Sequence, residues 1–182
     1  MRIISGEHRG RKLLDFEGQA IRPTTDRVKE SMFNLIQEYI PEASVLDLFG
    51  GSGALSLEAL SRGAKKAICI DKDKRAADII RKNTQTLNYT DKCEILNTDS
   101  MEYLKRCGQQ FDIVFLDPPY NKGFIEPILA SLIRYDIPGE EGIVVLESDD
   151  TDFCRETEGL TILKQRKYGR TYITVYKRKK SE

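Results

Sequence analysis

The stretch "FDIVFLDPPY", residues 111–120, decides how this chain is read. Phe111 to Leu116 is apolar apart from Asp112 and lacks the strict alternation of a half-buried strand. Such a run marks a strand covered on both faces, the way parallel sheets in α/β proteins are built. Then it stops. Pro118 and Pro119 offer no N–H to a ladder and both fix φ, so the strand ends at Asp117. A carboxylate and the ring of Tyr120 are left on a stiff loop at the carboxyl end of a buried strand. In an open α/β sheet, ligands bind at that edge.

Outward from this stretch the same rhythm recurs. Strands are predicted over 44–49 ("SVLDLF"), 65–71 ("KKAICID"), 92–99 ("KCEILNTD"), 110–117 and 142–148 ("GIVVLES"). Helices are predicted over 53–63, 73–87, 100–107 and 123–134, the first closed by a C-cap glycine, Gly63. Alternating strand and helix implies a parallel sheet with right-handed crossovers. The end departs from this pattern. "LTILKQRKY" and "RTYITVYKR" flank Gly169 with no helix between them and predict an antiparallel hairpin. Upstream, Val28, Met32, Leu35, Ile36 and Tyr39 recur at helical spacing until Pro41, after a "RPTTD" turn in which Thr25 or Asp26 is placed as cap. The opening "RIISGEHRGRKLLDF", broken by Gly6 and Gly10, reads as a short hairpin. The prediction is an α/β fold with a seven-stranded, mostly parallel sheet, a C-terminal antiparallel hairpin and a short N-terminal β-hairpin extension.

Composition narrows the class. The chain has 182 residues, 40% hydrophobic and 32% charged, enough for one domain with a real core. No run approaches the roughly 20 apolar residues of a membrane helix, and the first residues lack a signal-peptide core, so a cytoplasmic protein without membrane association is expected. Cys69, Cys93, Cys107 and Cys154 are widely spaced, with no CxxC, and His8 is the only histidine. Reduced thiols and no metal site are expected. Net charge is zero but unevenly spread. Residues 164–180 carry eight Lys or Arg and no acid, whereas residues 135–158 carry nine acids against Arg155 alone. Arg2, Arg9, Arg11 and Lys12 crowd the first twelve residues against Glu7. Basic ends on a neutral chain suggest a local polyanion-binding face, against the alternative of a merely solvated surface.

The chemistry sits at the strand ends. "LDLFGGSGALSLEAL" is a strand, a glycine loop and a helix start. A P-loop would need GxxxxGK[ST], which is absent. A dinucleotide fingerprint from Gly51 would find Gly53 next but Ser56 in place of its third glycine, and Asp47 would repel the pyrophosphate. S-adenosylmethionine has no phosphate and carries an ammonium and a sulfonium, so an acid beside the loop suits it. Asp71 ends the next strand, where an acid can accept from ribose hydroxyls; it is preferred to its rival Asp73 because it directly ends the apolar run. Asp99, with Ser100 beside it, ends the third and could accept from an adenine amino group. Helix capping is the competing role for each of these acids.

The opening stretch then acquires a use. An exocyclic amine on a nucleobase is a poor nucleophile because its lone pair is delocalised into the ring. An acceptor pair that grips its hydrogens favours a pyramidal nitrogen and stabilises the charge that grows as a methyl arrives. The Asp117 carboxylate and Pro118 carbonyl could form that pair, held by the two prolines, with Tyr120 stacking the base.

"DPPY" with "VLDLFGGSG" upstream resembles the class I, S-adenosylmethionine-dependent amino-methyltransferases, which have a Rossmann-like fold. With "RIISGEHRGRKL", "RPTTDRVKESMFN" and "YGRTYITVYKR" in the same order, the chain is similar to the bacterial 16S ribosomal RNA guanine-N2 methyltransferase D (RsmD) family nearly end to end. That family usually has alanine where Gly50 stands. The resemblance implies a monomeric enzyme that methylates the N2 amine of one guanine in 16S ribosomal RNA of the assembling small subunit. Residues 1–24 would be an RNA-contacting extension and 25–182 the S-adenosylmethionine-dependent domain. By position, Asp47, Phe49, Gly51, Gly53, Asp71, Asp99 and Ser100 would hold the cofactor. Asp117, Pro118, Pro119 and Tyr120 would hold the base, and Arg9, Arg11, Arg22 and Arg27 would meet RNA phosphates. The rivals are a DNA adenine-N6 or other nucleic-acid amino-methyltransferase, for which the chain leaves little room for a recognition domain, and a non-catalytic nucleoside-binding protein.

Overall fold

The computed structural model describes residues 1–16, 26–119, 123, 125–149 and 155–180. Seven strands form one sheet: β1 (Ser44–Asp47), β2 (Lys66–Asp71), β3 (Cys93–Asn97), β4 (Phe111–Leu116), β5 (Pro138–Ser148), β6 (Leu160–Tyr168) and β7 (Thr171–Arg178). Their order is β3-β2-β1-β4-β5-β7-β6. β1 to β5 are mutually parallel, and β7 runs antiparallel between β5 and β6, as the sequence predicts. The helices are α1 (Asp26–Leu35), α2 (Ala54–Ser61), α3 (Lys74–Thr86), α4 (Ser100–Arg106) and α5 (Ile125–Arg134).

Both faces of the central strands are covered, which is why they read as unbroken apolar runs. Val45, Ile113, Phe115 and Val145 point to the face packed by Met32 and Phe33 of α1, Leu57 of α2 and Ile80 of α3. Leu46, Val114, Leu116 and Leu146 point to the face packed by Leu104 of α4 and Leu129 and Leu132 of α5. The strand order reverses where β1 meets β4. There the register sets Asp47 beside Phe115, so the loops after the two strands emerge at one rim.

α2 is stopped as its glycine suggests. Gly63 has φ +108°, Gly63 N–H bonds Leu60 O, and Ala64 N–H bonds Ala59 O at 3.0 Å, a Schellman closure. β5 begins four residues earlier than expected, because Pro138 pairs with Phe111 across a register shift.

The opening segment forms the expected short hairpin: its arms are joined by the antiparallel Arg2–Lys12 bridge, with Ile3 N–H bonding Arg11 O at 2.9 Å, Gly10 N–H bonding Ile3 O at 2.8 Å and Leu13 N–H bonding Met1 O at 2.9 Å. Its pairing stops at Ile3 because of a competing acceptor. Ile4 N–H and Ser5 N–H donate to the buried carboxylate of Glu58, at 2.9 and 3.0 Å, instead of to a partner strand. Glu58 also meets Lys29 at 3.3 Å and Arg62 at 2.9 Å, and Lys29 Nζ donates to the Arg2 carbonyl. Burial lowers the Lys29 pKa, an effect opposed by the Glu58 charge. Ile3 and Leu13 enter the main core, so residues 1–13 pack as part of it. Farther on, the Asn83 side chain accepts from Leu14 N–H and donates to the carbonyls of Leu14 and Ser52, tying this segment to the glycine loop.

Glu58→Ala leaves the buried Lys29 and the half-buried Arg62 without their carboxylate and two amides without their acceptor. It is expected to destabilise the fold by about 3–5 kcal/mol. The check is a lowered urea midpoint in equilibrium denaturation.

Candidate active site

A cavity of about 560 Å³ opens at the carboxyl rim of β1, β2, β4 and β5. That size suits a nucleoside-sized ligand. Its floor is the glycine loop, Phe49 to Ser52, and one wall is Asp117, Pro118 and Pro119. The strand pairing therefore brings the two sequence motifs to one space. Tyr120 lies outside the described residues, as does Arg22.

The loop's shape comes from its glycines and from one acid. Gly51 has φ +58° and Gly53 φ +83°, a left-handed backbone that side chains disfavour. Gly51 N–H donates to Asp71 Oδ2 at 2.9 Å, and Asp73 N–H donates to Asp71 Oδ1 at 2.8 Å. Asp71 thus fastens the loop to the end of β2 while its carboxylate lines the cavity. Asp73 also lines the cavity, but it caps α3 through Arg75 N–H at 2.8 Å and pairs with the Arg75 guanidinium at 3.0 Å, which holds its carboxyl below the ordinary range. Asp99 caps α4, accepting from Met101 and Glu102 N–H through a single oxygen, and also lines the cavity. Ser100 Oγ donates to the Leu48 carbonyl, joining the start of α4 to the end of β1.

Asp47 sits differently from the other acids. It is 1% exposed and lies beneath the loop, not on the cavity wall. It accepts from Phe49 N–H at 3.3 Å and Ser56 Oγ at 3.1 Å. Burial pushes its carboxyl up to about 7, with the Ser56 and Phe49 bonds working against that rise. Gly53 is likewise structural in position: it stands at the N-cap of α2, and a Cβ there would come within 3.1 Å of Ile80. Gly50 is the tightest of the three. A Cβ would approach Cys69 Sγ to 2.6 Å and Ile80 Cδ1 to 2.8 Å, so this loop is packed against β2 and α3, not loosened by its glycine.

Several lining residues belong to no site-forming sequence motif. Asp15 and Phe16 reach the cavity from the opening segment, Lys29 from α1, Ile128 from α5 and Glu147 from the end of β5. Only Glu147 carried a signal, as an acid ending an apolar strand. The charge of the cavity is decisive for ligand class. Asp15, Asp71, Asp73, Asp99, Asp117 and Glu147 face it against Lys29 and Lys72. Such a space repels a pyrophosphate and favours a cationic ligand.

The basic residues are scattered. The turn carrying Arg9 docks at the far end of α2, where Glu7 N–H bonds Ser61 O and His8 N–H bonds Ser61 Oγ. An eight-residue helix, about 12 Å, separates it from the glycine loop. Arg11 reaches the Thr86 carbonyl at the end of α3, and Arg27 is exposed on α1. The basic C-terminal run is partly neutralised by the acidic segment before it, through Lys177–Glu141, Arg178–Asp136 and Lys179–Glu156.

The family described as Conserved hypothetical protein 95 matches residues 1–177. Ribosomal RNA small subunit methyltransferase D of Haemophilus influenzae is 37% identical over 179 residues, covering 97% of this chain and 93% of that protein. The Escherichia coli protein of the same name is 40% identical over 149 residues, covering 82% of this chain and 75% of that one. The solved structure of yhhF from Escherichia coli superposes with a TM-score of 0.89 at 35% identity, covering 98% of this chain and 97% of that chain.

An acid whose pKa is raised on folding favours the native state at low pH. The Asp47 contribution is full below about pH 4 and lost as pH rises through about 7. In the ligand-free protein, Asp47→Asn is expected to flatten the fall in stability between those limits, an effect of a few kcal/mol at most. Urea denaturation of both proteins across this range measures it.

Proposed function

This chain belongs to the Conserved hypothetical protein 95 family, a family of methyltransferases, and from that membership we propose that it transfers a methyl group from S-adenosylmethionine to the N2 amine of a guanine in small-subunit ribosomal RNA. The observation that carries this reading is the shared cavity of the glycine loop and the Asp117–Pro118–Pro119 loop. The RNA class follows from the relatives, the ribosomal RNA small subunit methyltransferases D. The choice of an amine follows from the paired acceptors beside a cation-favouring site.

When bound, S-adenosylmethionine supplies a methyl group on a cationic sulfur. The residues on the cavity wall suit it: Asp71 for the ribose hydroxyls, Asp99 and Ser100 near the adenine, Phe49 for apolar cover, and the Gly51 backbone for close approach. Asp47 serves from below, holding Phe49 and the start of α2 in place. At the other end of the cavity, Asp117 and the Pro118 carbonyl accept from the two amine hydrogens. This keeps the lone pair on nitrogen and leaves Asp117 positioned to receive a proton once the nitrogen becomes cationic. The pyrrolidine rings hold those acceptors still, so little reorganisation is needed at the moment of reaction. Tyr120 completes the base site by stacking. Arg9, Arg11, Arg22 and Arg27 contact RNA phosphates and contribute affinity instead of sequence choice. Ribosomal RNA as substrate supports work in the cytoplasm.

The test uses small ribosomal subunits from cells lacking the enzyme, with methyl-labelled cofactor and mass spectrometry of the RNA nucleosides. One N2-methylguanosine is expected with the wild-type protein. Asp117→Ala is expected to lower transfer by at least about a thousandfold while S-adenosylhomocysteine affinity stays within a few-fold. Transfer to plasmid DNA and none to the subunits would favour the DNA enzyme; near-normal turnover by the variant would remove Asp117 from the chemistry.

A further inference from the structure

Glu147 lines the same cavity as Asp117. Its position is fixed by register. Leu116 of β4 is paired with Leu146 of β5, so Asp117 and Glu147 are the next residues along two neighbouring parallel strands. Alternation puts them on the same side. Phe115 and Val145 are registered partners in one core cluster, whereas Leu116 and Leu146 belong to the other. Two residues beyond Phe115 and Val145, the two acids come to the rim of that face. Glu147 is held there by the antiparallel pairing of β5 with β7, opposite Ile173, so its backbone is part of the rigid sheet.

Resting on the amine-methylation reading above, we infer that Glu147 is the residue that selects guanine, by accepting a hydrogen bond from the ring N1–H while Asp117 and the Pro118 carbonyl hold the N2 amine. The Watson–Crick edge of guanine presents N1–H and N2–H₂ as adjacent donors. A base extracted from its stack is read along that edge. An acceptor next to the amine-binding pair matches this pattern. Adenine, with an acceptor nitrogen beside its amine, would set a lone pair against the carboxylate and leave both groups unpaired in a confined site. The DPPY loop, shared by enzymes that methylate different amines, does not supply this distinction; a second acid on the neighbouring strand does.

The test is a switch in preference. Small-subunit RNA is assembled with either guanine or 2-aminopurine at the mapped target position. 2-Aminopurine keeps the N2 amine but has an acceptor at N1. The wild-type protein is expected to prefer guanine in kcat/KM by at least about tenfold. Glu147→Gln, whose amide can donate to an N1 acceptor, is expected to lose about tenfold or more on guanine and to gain on 2-aminopurine, with S-adenosylhomocysteine affinity unchanged. A variant that lowers both substrates in proportion overturns the inference, because a supporting role would do that. Equal use of the two bases by the wild-type protein overturns it as well, and this arm needs no variant to fold. A wild-type protein inert toward both bases overturns the proposed function and this inference with it.

Discussion

The parallel pairing of β1 with β4 is the constraint on which the site depends. Sequence separates Asp47 from Asp117 by 70 positions, yet the register that sets Asp47 beside Phe115 brings the loops after both strands to one rim. Strand order reverses at this pair, so no crossover helix covers the gap between those loops. The apolar side chains on both faces of β1 and β4 fix the register, since a one-residue slip would turn every one of them to the wrong cluster.

Acids at the strand ends divide the work by depth. Asp47 is fully buried and acts on the loop's backbone, while Asp71 and Asp99 each make their backbone bonds and still line the cavity. A carboxylate that fastens a loop while facing a ligand pre-orders the site, because the groups that would contact the ligand are immobilised before it arrives. The opening segment extends the same logic. Glu58 and Asn83 spend side-chain hydrogen bonds on its backbone, and one consequence is that Asp15 and Phe16 reach the cavity mouth.

Most of this fold was legible because its signals are local. Apolar runs bounded by glycine, proline and terminal acids located all seven strands, and the missing helix around Gly169 revealed the antiparallel end. What escaped were features made by long-range partners. Nothing near Ile4 and Ser5 announces that a glutamate more than fifty residues away will take their amides and end the pairing of the opening hairpin there. The early start of β5 at Pro138 likewise depends on a distant partner, Phe111. At the site, the glycine loop and DPPY are readable as motifs, and Asp71 is preferred to Asp73 because it directly ends an apolar run, but the sequence does not show the contacts that separate them. The difference turns on which carboxylate reaches back to Gly51 and which one takes Arg75. Asp47 was expected at the ligand because it ends a strand, but the alternation of β1 directs it under the loop toward Ser56.

The central claim is geometric: one cavity holds a cationic methyl donor at the glycine loop and an amine-gripping carboxylate at the proline-locked loop beside it. A crystal structure of the protein with S-adenosylmethionine tests it most directly. The account predicts the sulfonium methyl aimed across the cavity at the Asp117 carboxylate, with room between them for one planar amine and with Asp71 on the ribose. A cofactor seated over another strand end, or a methyl group facing away from Asp117, would contradict it.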